Sequence, residues 1–359
     1  MREKILVALS GGVDSAVAAA LAQESGYDVT GIIMTIYDGP ESPNEKSHKH
    51  GCYGPGEEED VKDAEAVAQH LGIKLQVFDL KNEYRTNILE SFKNEYRAGR
   101  TPNPCVYCNQ QIKLGALLDK ARESGLDFEF VFTGHYARTD FHHQSNRYRL
   151  LRARYHNKDQ SYFLSRLSQA QLRILRFPLG DLSKDEVRKL AERINLPVSR
   201  KEESQNFISG GYRQLVCSQD TSGPIKNKSG DIIGQHSGIS SFTIGQRHGL
   251  GLSSPEPLYV VQIDAPENTI VVGARSALYR DEIQVEKLNW ISISQLENPV
   301  QLTARVRSAA VPAAAMVIPN HLTDSVTVRF EVPQMAPAPG QIAVFYEDDI
   351  VVGSGVITN

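Results

Sequence analysis

KILVALSGGVDSAVAAALAQES, residues 4–25, begins as a short apolar run, breaks at Ser-Gly-Gly, and resumes as an alanine-rich helical pattern that stops at Gly26. That reads as strand, tight loop, helix. Glycines in such a loop let the backbone turn sharply and offer its N–H groups to a phosphate, and the following helix start adds partial positive charge. The hexapeptide SGGVDS (10–15) has neither the lysine of a Walker A loop nor the three-glycine spacing of a dinucleotide fingerprint. A plain glycine turn, with Asp14 or Ser15 capping the helix, accounts for the glycines and serines but not for the whole hexapeptide directly behind a strand.

Outward from this stretch the alternation continues. A second apolar run (29–36), a polar insert (38–59), the helix DVKDAEAVAQHLG, the apolar run IKLQVFDL, a long amphipathic stretch, a loop with two cysteines, the helix QIKLGALLDKARESG and the strand FEFVFTG follow in turn. Strands alternating with helices predict an α/β domain: a parallel sheet covered on both faces, with ligands at the carboxyl ends of its strands. Helical signals at LSQAQLRIL and SKDEVRKLAERINL give way to a glycine-rich stretch that includes GQHSGISSFTIGQRHGLGL. From Leu258 onward, short alternating strands separated by Pro and Gly predict a small β-barrel. A chain of 359 residues exceeds one ordinary core. The expected division is a nucleotide-binding catalytic domain over 1–200, a small central domain over 201–276 and a C-terminal β-barrel over 277–359.

An apolar fraction of 40% with 23% charged residues suits a soluble globular protein. No apolar run is long enough to span a bilayer, and the apolar stretch near the N-terminus is too short for a secretion signal, so a cytoplasmic protein without a membrane partner is expected. A net charge of -4 argues against a nucleic-acid-coating protein but leaves room for local basic patches. Four cysteines make no disulfide scaffold, and in a reducing compartment the pair Cys105 and Cys108, in TPNPCVYCNQQIK, reads as metal-binding, redox or sulfur-handling. A structural zinc needs four ligands, and the nearby His48, His50 and Cys52 in SHKHGC lack the spacing. Cys52 otherwise reads as a loop cysteine.

SGGVDS resembles the signature of the PP-loop ATP pyrophosphatase superfamily, whose members cleave ATP to AMP and pyrophosphate while adenylating a substrate. GRTPNPCVYCNQQIKL (99–114), TGHYAR (133–138), NKDQSYFL (157–164), FTIGQRHGLG (242–251) and PGQIAVFY (339–346) resemble, in order and spacing, the tRNA-specific 2-thiouridylase family. The likeness covers nearly the whole chain. That family replaces the oxygen at C2 of the wobble uridine of certain tRNAs with sulfur. The resemblance implies a tRNA-uridine 2-sulfurtransferase using ATP with magnesium, for which Asp14 is a candidate ligand. It implies that Ala8, Leu9, Ser10, Gly11, Gly12, Val13, Asp14 and Ser15 cradle ATP, that Met34 contacts the adenosine, and that Gly134 closes over the nucleotide. Asn103, Pro104 and Cys105 would line the pocket for a uridine extruded from its stack. His135, Lys158, Asp159 and Gln160 would contact tRNA, and Arg305, Val306 and Gln341 the anticodon arm, making binding salt-sensitive. Without the likeness, Met34 is a core residue, His135 a loop histidine, the KDQ triplet a solvated turn, and Arg305 and Arg307 exposed barrel residues.

Thiolates are the nucleophiles of sulfur chemistry, and a helix start favours their formation. Cys108 matches the family's first reactive cysteine. The family's second, which carries persulfide sulfur from a donor protein, falls in ESQNFISGGY (203–212), where Ile208 occupies its place. Three arrangements remain: Cys105 partners Cys108; Cys217, in QLVCSQD, folds back to the site; or Cys105, Cys108 and Cys217 hold an iron-sulfur cluster with one open iron. The sulfur comes from a donor protein or a sulfide source. The competing functions are another PP-loop adenylating enzyme, of the synthetase or tRNA-lysidine type, and a non-catalytic, nucleotide-regulated RNA-binding protein.

Overall fold

The computed structural model describes residues 2–39, 51–201, 206–208, 212–216 and 221–359. The opening apolar run forms β1 (Lys4–Ala8), and the alanine-rich segment forms α1 (Val13–Glu24), whose Ala16, Ala18, Ala19 and Ala22 are buried. Side chains this small let the helix lie close over the sheet. β2 (Asp28–Thr35) and the short β3 (Gly51–Tyr53) precede α2 (Glu57–Leu71). Four acidic residues fill the first turn of α2, complementing its partial positive charge, and Gly72 ends it in the left-handed conformation at φ 65°. The Glu57 carboxylate also accepts the backbone N–H groups of Ile36 and Tyr37 at 2.6 and 3.1 Å, which fixes the chain as it leaves β2.

β4 (Lys74–Asp79) and β5 (Phe130–Thr133) follow, then the hairpin β6 (Ala137–His142) and β7 (Arg147–Arg152), then β8 (Leu175–Arg176) and β9 (Asn206–Ile208). The main sheet has the order β4-β2-β1-β5-β8 and is parallel throughout. Its strand order reverses between β1 and β5, so the carboxyl ends of those two strands form the switch point at which ligands bind. SGGVDS leaves one of them and Thr133-Gly134-His135 the other. These loops touch: a Cβ at Gly134 would stand 2.6 Å from the Ser15 nitrogen and 2.7 Å from the Asp14 carbonyl carbon, so only glycine fits.

The central sheet, β11-β10-β13-β12, is built from β10 (Gly223–Lys226), β11 (Ile232–His236), β12 (Tyr259–Asp264) and β13 (Thr269–Gly273). The predicted barrel comprises β14 (Tyr279–Trp290), β15 (Val300–Arg305), β16 (Ala313–Asn320), β17 (Ser325–Met335), β18 (Ile342–Glu347) and β19 (Ile350–Ile357), closed by the pairing of β14 with β19. Alternate residues point inward, with Ile283, Val285, Ala304, Val306, Val317, Val328 and Phe345 in its core.

One feature of the fold is absent from the sequence pattern. The β6–β7 hairpin of the first domain continues the barrel sheet, with Ile350 opposite Leu151 and Val351 opposite Leu150. Behind this seam lies Asp159, whose side chain has no exposed surface. Its carboxylate accepts the N–H groups of Ala153 and Ser161, both at 3.1 Å, and sits 3.5 Å from both Arg152 and the barrel's Arg305. Removing one member of such a buried set strands the others' charge. Asp159→Ala is therefore expected to lower the unfolding free energy by about 3–5 kcal/mol. Truncation of the exposed Glu192 should cost less than about 0.5 kcal/mol. Urea unfolding monitored by circular dichroism compares the two, and equal midpoints would show that the carboxylate does not hold the seam.

Candidate active site

At the switch point, α1 starts at Val13 behind Gly12, and no side chain caps it. Neither Asp14 nor Ser15 is the cap. Ser15 Oγ instead donates to the Gly12 carbonyl at 3.1 Å and accepts the Ser10 N–H at 3.1 Å, which braces the loop from inside. Gly11 has φ 68°, and a Cβ there would stand 2.4 Å from the Asp60 carbonyl oxygen, so this turn has to be glycine. Leu9 and Val13 point into the core, and the cradle is therefore backbone, with uncapped N–H groups at the helix start. Asp14, the expected magnesium ligand, already meets a cation: its Oδ1 accepts from Lys184 Nζ and from the Tyr136 hydroxyl, both at 2.8 Å. Met34 lies near the carboxyl end of β2 beside Phe78 and packs against the main core.

The cysteine loop leads into one continuous helix, regular over Pro104–Tyr107, widened to π geometry over Cys108–Ala116, and regular again over Leu117–Glu123. Pro104 takes the first helical position, where no N–H is needed, and Asn103 precedes it. The barrel holds this loop in place. Thr101 N–H donates to the Pro339 carbonyl at 2.7 Å, and Gln341 Nε2 donates to the Thr101 carbonyl at 2.8 Å. Gly340, at φ 90°, lets the two chains approach, since a Cβ there would stand 3.0 Å from the Thr101 nitrogen. Gln341 is thus a clamp on the cysteine loop rather than a free group for the anticodon arm. The π turns are supported from the side by Gln171, whose Nε2 donates to the Gln110 and Leu114 carbonyls, each at 2.7 Å. Bonds from i to i+5 bring residue 113 nearer the face of residue 108 than a regular helix would.

Lys113 is the electrostatic centre. Burial pulls its ammonium pKa down, but negative charge on Cys52, Cys108 and Cys105 as these thiols ionise outweighs that and raises it above the ordinary value. Burial pushes the Cys108 thiol up to about 12 although Lys113 draws it down, and burial together with Cys52 pushes Cys105 up to about 11. Both inner thiols are therefore protonated at neutral pH. Burial and then the Lys113 ammonium push the His135 imidazole down to about 3. His135 is neutral, with Nδ1 2.9 Å from Thr133 Oγ1, and acts as a hydrogen-bonding group rather than a cation for phosphate. Gly134 thus packs on the phosphate loop, and the Lys113 charge is felt by His135 beside it and by Cys108.

Several expected contacts are redirected. Asp159 is buried in the seam and cannot meet tRNA; the Gln160 side-chain oxygen accepts the Tyr136 N–H at 2.9 Å, and Lys158 is half-buried. Val306 is 2% exposed and belongs to the barrel core. Arg305 is turned inward over Tyr162, its guanidinium 5.5 Å from the ring centroid, and Arg307 donates to the Ile244 and Ala336 carbonyls of neighbouring segments. Neither arginine is on an open barrel face, because other domains cover it. Cys217, His48 and His50 lie outside the described residues. Among the described residues no group of three His, Cys, Asp or Glu side chains is disposed to hold a metal ion, and Cys217, the third ligand of the expected cluster, is not among them. Sequence reasoning missed Lys113 and Cys52. Cys52 sits on β3, paired with β9, and not in a loop. A groove of about 390 Å3, lined in part by Pro102, Tyr107, Arg166 and Lys287, runs along the outer side of the cysteine helix and includes neither thiols nor the phosphate loop.

A parallel sheet with a phosphate-presenting backbone loop at its switch point, followed by a central domain and a closed barrel, defines a three-domain enzyme of the PP-loop class. Residues 3–209 match the family described as "tRNA methyl transferase HUP domain", 215–274 its "PRC-barrel domain" and 280–357 the "Aminomethyltransferase beta-barrel domain". The chain is 43% identical to the tRNA-specific 2-thiouridylase MnmA of Endomicrobium trichonymphae, over 99% of this chain and 98% of that one. It is 40% identical to that of Acetivibrio thermocellus, over 99% of both. The chain belongs to the tRNA-specific 2-thiouridylase family. Among solved structures, it has a distant likeness to NMN synthetase from Francisella tularensis (TM-score 0.32, 18% identity, 56% of this chain and 66% of that one). A 4-thiouridine synthetase–RNA complex with bound ATP is similarly distant (TM-score 0.33, 17% identity, 57% and 44%). No helix among the described residues is long and apolar enough to cross a membrane.

Because the thiol, not the thiolate, dominates at Cys108, its alkylation by iodoacetamide should rise about tenfold per pH unit between pH 7 and 10. Lys113→Met removes the charge that favours the thiolate and should slow that reaction about tenfold at fixed pH. Peptide mapping by mass spectrometry follows both. A rate independent of pH, or unchanged in Lys113→Met, would refute this electrostatic account.

Proposed function

We infer that the chain is an ATP-dependent tRNA sulfurtransferase that forms 2-thiouridine at the wobble position through an adenylated uridine. What supports this reading is a glycine-built phosphate loop at the sheet's switch point and two cysteines on a helix whose entry the barrel clamps, in a chain similar end to end to 2-thiouridylases. Oxygen at C2 of uracil leaves poorly. Its attack on the α-phosphorus of ATP expels pyrophosphate and converts it to an AMP ester. The uncapped N–H groups of α1 would bind phosphate oxygens, and magnesium arriving with ATP would neutralise the charge they leave.

The sulfur step then falls to the cysteine helix. The outer sulfur of a persulfide on Cys108 attacks C2 and AMP departs, leaving a uridine–sulfur–Cys108 disulfide. The Cys105 thiolate attacks the Cys108 sulfur, freeing 2-thiouridine and forming a Cys105–Cys108 disulfide, which an external dithiol must reduce. Lys113 favours each sulfur anion in turn. The base must leave its stack to reach this depth, and Asn103 and Pro104, at the helix start, would line its pocket.

The test is an assay of purified protein with ATP, magnesium, tRNA and a persulfide donor, with pyrophosphate and 2-thiouridine measured separately. Cys108→Ala should lose thiolation by about a hundredfold or more while still releasing pyrophosphate. Undiminished thiolation in Cys108→Ala would sink the assignment, and no pyrophosphate from the wild type would favour a nucleotide-regulated RNA-binding role.

A further inference from the structure

Asp14 is the second residue of α1, a position from which a carboxylate ordinarily turns back onto the free N–H groups of its own first turn. Here no side chain caps the helix. The carboxylate is held elsewhere, its Oδ1 accepting from Lys184 Nζ and from the Tyr136 hydroxyl, both at 2.8 Å. Each of these two donors is itself fixed. Tyr136 is buried, its N–H donates to the Gln160 side-chain oxygen at 2.9 Å, and its carbonyl accepts the Gln160 N–H at 2.9 Å. Lys184 opens the helix Lys184–Arg193, which a Ser183–Glu186 capping box starts. A cation at the first position of a helix meets the positive end of its dipole, so what favours a lysine there is its partner on α1 and not its own helix. Val187 and Ala191 of that helix pack with Val13 and Val17 of α1 and with Tyr136 in one core cluster, which sets the two helix starts side by side. The Lys184 side chain is only 11% exposed, so water does little to screen the ion pair.

We propose that Lys184 and Tyr136, the latter locked by Gln160, are positioning residues for ATP: they hold the Asp14 carboxylate off the first turn of α1 and so keep its N–H groups open to phosphate. This rests on the ATP-dependent reading above and adds what keeps the phosphate loop available. A carboxylate folded back onto those groups would compete with a phosphate oxygen for the same donors and repel its charge. The lysine and the tyrosine do not bind the phosphate; they remove its competitor. Gln160 and Tyr136, which come from two separate sequence motifs, thereby share one task, and the Asp14 side chain is a group to be restrained and not a magnesium ligand.

Titration calorimetry of the full-length protein with ATP and magnesium, in the absence of tRNA, tests this. Lys184→Met releases the carboxylate and should weaken binding about tenfold, the size of one helix-capping interaction. Lys184→Arg keeps the charge and should bind ATP like the wild type. Adding Asp14→Ala to Lys184→Met removes the competitor and should recover the lost affinity, a rescue that a purely structural role for Lys184 would not give. Tyr136→Phe deletes one hydroxyl, should weaken binding about threefold, and should be relieved by the same second change; it carries the test if Lys184→Met does not fold. Unchanged affinity in both single variants, a double variant that binds no better than Lys184→Met, or weaker magnesium-dependent binding in Asp14→Ala alone would each overturn the proposal while wild-type binding stands. A wild type that binds no ATP would instead remove the ATP-dependent reading, and this inference with it.

Discussion

The Gln341 amide, donating across to the Thr101 carbonyl, is the contact on which the site's geometry depends. Thr101 lies four residues before Cys105, in a loop whose backbone groups would otherwise be left to water. Because its donor and acceptor are both taken by the segment Pro339–Gly340–Gln341, the loop enters its helix at a fixed angle and Pro104 can occupy the first turn. The last domain thus sets the position of the first domain's nucleophiles. Asp159 secures the same junction from below, between Arg152 and Arg305, and the hydroxyl of Tyr162 reaches the Ile342 carbonyl next to the clamp. The barrel is therefore part of the candidate site's scaffold.

Burial and charge compete at the thiols, and burial wins. A lysine ammonium among three cysteines ought to favour thiolates, yet Cys108 and Cys105 stay high because the low-dielectric surroundings penalise the anion more than one partly desolvated cation repays. The outcome suits a nucleophile that must wait. A protonated, enclosed thiol resists adventitious oxidation, whereas a persulfide is more acidic than its parent thiol and would form the anion under the same field. On the proposed reaction the switch from inert to reactive would come from loading with sulfur and not from a change in fold.

The phosphate loop and the parallel sheet could be read from SGGVDS and from alternating periodicity, because both are local: glycine conformations and strand–helix order are written in consecutive residues. The barrel could be read for the same reason. Period-2 alternation also places Val306 inside and Arg305 and Arg307 on the opposite face, but periodicity says nothing about what covers that face, and here other domains do. The hairpin that extends the barrel sheet, and the pairing of β3 with β9 that positions Cys52, join segments far apart in the chain. Register between such strands is decided by tertiary packing, so no local signal marked Cys52. Lys113 escaped for a different reason. Five residues from Cys108, it falls outside the regular helical spacing by which side chains are matched, and only the π widening brings it into play.

The loop after β5 ties the two halves of the chemistry together. Gly134 must be glycine because the backbone of Ser15 fills the space where a Cβ would stand, so the residue that follows is held at a set distance from the phosphate loop. That residue is His135, kept neutral by burial and by the Lys113 charge, the same charge that favours the Cys108 thiolate. A cationic imidazole here would repel the ammonium and weaken its hold on sulfur anions. In the proposed reaction its neutrality would leave the lysine to the sulfur side, with the phosphate side relying on backbone N–H groups. Charge stabilisation would then be divided between the two proposed steps, with a neutral residue as the partition.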